Sequence, residues 1–464
     1  MENRNLEATY GEGLLYLLSY IPLCVAWSTV SMTSLAFQNI STVDPLDCSG
    51  TIVAAVPWAP EKEVYIYNLV LKGKTGTPPV TVAELISNSR NTTTIHMWLS
   101  KTCYRFLEVT SSNVWPLKIM VTDMSWAMRN AVIRALCGMA TVTDYLEACL
   151  KAKKKGKVSF VLLVWCYCHL VYAIAQKVKK WLPLKSKKYS PARCFVRMVV
   201  AHMSRTTTTE AAKEIFKNFS RVVLRKKSCP KVIEALQWLN VRPMMETFAF
   251  HFELAVMHYN VLKSCWLFEM FLNGIEKYKK FTTVPLHLDT FWTEDEAEEI
   301  LKPKDDDPDL SPDDTYKKKN ASYQSSPFYE VFKMTADQVR EEIKFDVTGD
   351  ETLKDNPYHI PTIIDYLLKY YLPFYPLWSK YMQCLLINTE NPLTNAHAEL
   401  GCKEVKEELL KKKKHLKAPR YFKRYVIDTE KRVLEYKYPA NCHRIKRRKL
   451  EEDSCKKVKD NMER

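Results

Sequence analysis

Glycine is scarce in this chain, with only 10 among 464 residues, and that excludes collagen-like and glycine-rich low-complexity architectures. No internal repeat is visible, which removes solenoids and propellers. The 14 cysteines run from Cys24 to Cys455 without any paired CxxC arrangement. A chain of this size needs no disulfide framework, so the expected setting is a reducing, intracellular one. A basic leader is lacking too: Glu2, Glu7 and Glu12 surround a single Arg4, the reverse of a signal-peptide start.

What is present is a hydrophobic content of 47% and a formal charge of +16. The first suffices for a large core or two to three domains, and the second favours a polyanionic partner such as nucleic acid, or an anionic membrane surface. The charge-free run from Gly13 to Phe37 is long enough to span a bilayer, although Pro22 and six Ser/Thr residues interrupt it. A membrane-anchored protein is therefore one functional alternative, and residues 1–43 are set apart as an N-terminal segment.

Short β-type runs follow. Thr51–Val56 and Val64–Leu71 read as adjacent strands joined by a hairpin through Pro57–Glu63, with a third strand near Val82–Ile86 and a helix from about Asn91 to Leu107. Leu117–Thr122 is an apolar strand ending in Asp123, and Ser125–Leu136 has helical spacing. Lys151–Lys157 reads as a basic loop, Val158–Val164 as a buried strand and Tyr167–Leu182 as a helix. From 185 to 388 helical pattern dominates, as in Thr209–Leu224, Val232–Leu239, Met244–Phe271 and Ile360–Leu386. Within it, Thr293–Thr315 holds eleven acidic residues and three prolines, and 293–326 is read as a disordered acidic loop. The expected fold class is α/β: a mixed sheet over 44–184, flanked by helices and interrupted by this all-α insertion. Region 389–440 then supplies a last helix and a basic stretch, and 441–464 a basic tail.

Three carboxylates stand where two-metal phosphoryl transfer needs them: Asp47 entering the first hairpin strand, Asp123 at a strand tip, and Glu399 on a late helix. Magnesium, or manganese, is the matching cofactor, because hard divalent ions prefer oxygen ligands. Each acid has a plainer alternative. Asp47 can be a strand-edge surface residue with Asp44 as competitor, Asp123 can be a helix N-cap, and Glu246 rivals Glu399. Cys166 and His169, one helical turn apart, are either half of a zinc site or a buried pair beside the sheet.

The block VTDMSWAMRNAVIRA resembles the second-aspartate block of Mutator-like and related hAT-like cut-and-paste DNA transposases. Cys166-Tyr-Cys-His169 matches their Cys-x-x-His pattern, and Asn395, Glu399 and Lys406 match their late helix. The resemblance spans Asp47 to Tyr438. It implies an RNase H-like sheet with a catalytic, metal-binding triad of Asp47, Asp123 and Glu399. It further implies DNA as partner, a nuclear location supported by the basic run from Arg444, and self-association. The residues before Asp47 are too few for the usual DNA-binding domain, and Leu400 follows Glu399 where an aromatic is customary. The expectation is thus a truncated or domesticated derivative, with a non-catalytic chromatin or DNA interaction protein as the alternative.

Overall fold

The computed structural model describes residues 14–20, 22–39, 43–50, 63–71, 79–111, 117–182, 190–241, 321–345, 353–387, 393 and 418–437. The chain divides into two compact units. One comprises Met1–Thr141, Ser159–Cys166 and Leu393–Arg464; the other comprises Val142–Val158 and Tyr167–Pro392. The division falls at 141/142 and 166/167, and the boundary expected at 184/185 lies inside the second unit.

The first unit is a mixed α/β layer. Its strands are β1 (Leu15–Tyr20), β2 (Leu23–Trp27), β3 (Val43–Gly50), β4 (Tyr65–Leu71), β5 (Val80–Ser87), β6 (Ile119–Thr122) and β7 (Leu162–Trp165). They form one sheet in the order β1-β2-β5-β4-β3-β6-β7. The pairs from β1 to β3 are antiparallel, and β3–β6 and β6–β7 are parallel. Strands β4 to β7 are buried along their whole length, which explains why they read as near-continuous apolar runs rather than alternating ones.

Four helices belong to this layer: α1 (Val30–Asn39), α2 (Thr92–Thr110), α3 (Trp126–Leu136) and, far along the chain, Ala418–Lys437. The start of α2 is fixed by Asn91, whose Oδ1 accepts from the Thr94 amide at 2.8 Å, and its end by Ser111 at φ 52°. α2 packs on α3 and α1, and α3 on β6 and β7.

Two of the readings need correction here. Gly13–Phe37 is not one span: it folds as β1, a reversal at Pro22, β2 and α1, because proline stops a helix and Ser/Thr interrupt the run. No helix among the described residues is long and apolar enough to cross a membrane. The strand holding Asp47 is Val43–Gly50, so Asp47 lies inside it and not at its entrance. Thr51–Val56 and the Pro57–Glu63 connection lie almost wholly outside the described residues.

The second unit is helical. It contains α4 (Val142–Lys155), α5 (Tyr167–Trp181), α6 (Ser190–Ser204), α7 (Thr209–Leu224), α8 (Pro230–Val241), α9 (Pro327–Phe345) and α10 (Thr362–Tyr370). The helix Ala418–Lys437 of the first unit is α11. Lys151–Lys155, expected in a loop, closes α4 instead, and the turn ends at Gly156 with φ 66°. Lysine is a good helix former and its charge suits a helix C-terminus, so a lysine run does not by itself mark a loop. Ile360–Leu386 is not one helix either. Pro373 and Pro376 break it after Tyr370 into the turns Leu372–Phe374, Tyr375–Trp378 and Lys380–Gln383.

This unit closes on an aromatic core. Phe332 meets Phe216 and Tyr375, each at 5.6 Å between ring centroids, and the Tyr375 hydroxyl bonds Thr206 Oγ1 at 2.6 Å. Arg221 donates twice to Glu342 at 3.0 Å, joining α7 to α9. Asn356 donates to the carbonyls of Val222 and Arg225 at 2.7 and 2.8 Å, which satisfies the C-terminal end of α7.

Candidate functional site

Two of the three expected acids lie on neighbouring parallel strands. Leu46 of β3 stands opposite Thr122 of β6, the last registered pair, so Asp47 and Asp123 are the next residues in the same direction. Adjacent strands are about 4.8 Å apart, and the two backbones are therefore one strand spacing from each other. Asp123 is half-buried just past the strand tip, where its carbonyl accepts from Thr122 Oγ1 at 2.9 Å.

Asp123 does not cap α3. That role falls to Ser125, whose Oγ accepts from the Met128 amide at 3.4 Å. The helix thus starts two residues beyond the acid, and capping does not require the Asp123 carboxylate. In α3 the Arg129 guanidinium lies 3.8 Å from the Trp126 ring centroid, and Trp126 meets Trp165 of β7 edge-on at 6.0 Å. Arg129 also donates to Asn130 Oδ1 at 3.1 and 2.9 Å.

Cys166 follows β7 directly. Its amide donates to the Thr122 carbonyl at 2.7 Å, extending the β6–β7 pairing to the level of Asp123, and the residue is fully buried. His169 is the third residue of α5 and half-buried. Among the described residues no group of three His, Cys, Asp or Glu side chains could hold a metal. Glu399, Asn395, Lys406 and the rival Glu246 lie outside the described residues.

A fourth acid becomes visible only in the fold. Glu84 sits in mid-β5 at 0% exposure, and its backbone is in register with Trp27 on one side and Asn68 on the other. Asn68 is in turn opposite Asp47, so Trp27, Glu84, Asn68 and Asp47 occupy one row across four strands. Trp27 Nε1 donates to Glu84 Oε1 at 2.8 Å and the Tyr421 hydroxyl donates to Oε2 at 3.1 Å. Burial pushes the carboxyl up to about 8, against the partial relief of those two bonds. Near neutral pH Glu84 is mainly the uncharged acid.

The bonds to Glu84 also place α11. Tyr421 and Tyr425, one turn apart, reach Glu84 and Thr81, the latter at 2.7 Å between hydroxyls. Residues 81 and 84 would ordinarily point to opposite sheet faces. A register shift between the pairs Leu69–Ala83 and Val70–Thr81 gives both access to one helix. Trp27 completes the contact edge-on to Phe422 and Tyr425 at 5.3 and 5.9 Å, and Thr29 bonds Glu430. The only sequence signal for this site was one acid inside the apolar run VTVAELIS.

No family model, no curated protein and no solved structure matches this chain.

Proposed function

We propose that this is a transposase-derived DNA-binding protein of the nucleus, built on an RNase H-like core that ancestrally cut and joined DNA strands. The observation that carries this reading is the parallel β3–β6 register, which sets Asp47 and Asp123 at adjacent positions. Further support comes from the strand order β5-β4-β3-β6-β7, an antiparallel meander continued by two parallel strands. An RNase H-like sheet has this order, its third, second, first, fourth and fifth strands standing side by side, with β1 and β2 an extension of one edge. The net charge of +16 suits a polyanionic partner.

Asp47 and Asp123, with Glu399 as the third ligand, would hold Mg2+ or Mn2+, for which carboxylate oxygens are the matching donors. The ions would supply activation of the attacking oxygen and stabilisation of the leaving one. Asp123 follows a strand that α3 and the parallel neighbours β3 and β7 flank, a placement that limits its movement.

A nicking assay on supercoiled DNA with Mg2+ tests the reading. The expected result is nicking by the intact chain that falls at least about a hundredfold in Asp123→Asn, as loss of a metal-binding carboxylate would produce. Equal rates would remove the catalytic part, and salt-sensitive duplex binding without nicking would leave a non-catalytic DNA-interaction protein.

A further inference from the structure

We propose that the helical unit carries a binding strip for single-stranded nucleic acid, running along α9 and α10 from Tyr329 through Lys333 and Lys369 to Tyr370. It takes from the preceding reading only the class of partner. Tyr323, Tyr329, Lys333, Leu368 and Lys369 line a cleft in this unit, together with Arg340 and Asp365, which bind each other at 2.5 Å. Beyond it along α10, the Lys369 ammonium lies 5.1 Å from the centre of the Tyr370 ring, and Tyr370 meets Tyr366 at 5.0 Å. Tyr366 in turn meets Trp181 at 5.2 Å, and Lys177 stands 5.5 and 5.8 Å from those two rings.

Aromatic rings and lysines therefore interleave along one surface, and all of them are half-buried. That degree of burial holds a ring in place while leaving part of it open to solvent. Charge is distributed in the same sense. Arg340 engages Asp337 at 3.0 Å and Asp365 at 2.5 Å, with Lys333 also 3.6 Å from Asp337. Lys369 and Lys177 stand over rings and not on carboxylates among the described contacts. Positive charge that follows a phosphate backbone, set beside rings on which bases stack, is the chemistry of unpaired strands. A duplex keeps its base faces internal and cannot use the rings.

The test measures fluorescence anisotropy of a labelled oligothymidine of about 16 nucleotides, the upper end of known site sizes, binding to the full chain. A duplex of equal length and polyglutamate are measured in parallel. The double variant Tyr329→Ala/Tyr370→Ala should weaken oligothymidine binding about tenfold or more while duplex affinity stays unchanged. Lys369→Ala should lower the slope of log affinity against log salt by about 0.7. Thermal melting verifies that each variant is folded. The proposal is overturned if the intact chain does not bind oligothymidine, if the variants bind it as tightly as the parent, or if polyglutamate loses as much affinity as the oligonucleotide. Failure of the parent to bind duplex would instead strike the preceding reading and leave this one standing.

Discussion

The two units differ in how far along the chain their buried polar groups reach for partners. In the helical unit many partners are local, with Ser220, Thr335 and Ser379 hydroxyls donating to carbonyls four residues back at 2.8, 2.9 and 2.7 Å, and longer reaches such as Arg221–Glu342 and Tyr375–Thr206 span 121 and 169 residues. In the sheet unit the partners are remote. Glu84 depends on Tyr421, Thr81 on Tyr425 and Thr29 on Glu430, all on α11, a helix more than 300 residues further along the chain. A helix can close its own side-chain hydrogen bonds within one turn. A strand cannot, since its neighbours along the chain point to the other face. The sheet is thus the unit that requires a distant segment, and its stability should respond to changes on α11 that leave the helical unit untouched.

Removing the residue on which α11 rests gives the largest effect. Trp27→Ala deletes a fully buried indole, two edge-on ring contacts and a bond to Glu84, and should cost the sheet unit about 3–5 kcal/mol. Denaturant unfolding followed by separate probes for the two units would show it. A loss shared equally by both would break the contrast.

Next comes a pH dependence confined to the sheet unit. The Glu84 carboxyl titrates near 8 in the fold, above its ordinary 4.5, so the folded state holds a proton that the unfolded state has released. Stability from this group is full below about 4.5 and is lost as pH rises toward 8, on the order of 2 kcal/mol between pH 6 and 8. Glu84→Gln keeps a neutral side chain of the same shape and should flatten that slope. Melting of both proteins at pH 6 and 8 measures it, and parallel slopes would show that Glu84 is not responsible.

The smallest effect concerns the helical unit. Arg221→Ala removes the bidentate contact to Glu342, whose side chains are 28% and 24% exposed, and should cost about 1 kcal/mol. The sheet unit's transition should not move.

Much of the secondary structure was legible because its signals are local. Asn91 caps the helix that its position suggests, Thr209–Leu224 has clean amphipathic spacing, and the apolar run before Asp123 is β6. The errors arose where local signals compete. The lysine run at 151–155 was helical, and the apolar run at 13–37 divided into two strands and a helix. At the candidate site, Asp123 could be read from its strand–tip–helix setting. Glu84 and its partners could not, because one acid in an apolar strand says nothing about a tyrosine on the last helix.

The sequence by itself determined the alternation of elements, the cap at Asn91, the charge balance and the presence of an acid at the tip of β6. Each of these depends on residues within a turn or two of one another. Only the tertiary structure decided that Val43–Gly50 pairs in parallel with β6, setting Asp47 level with Asp123, and that α11 returns to cover Glu84. Those juxtapositions join residues far apart in the chain, and sheet register and long-range burial fix them, neither of which a local pattern encodes.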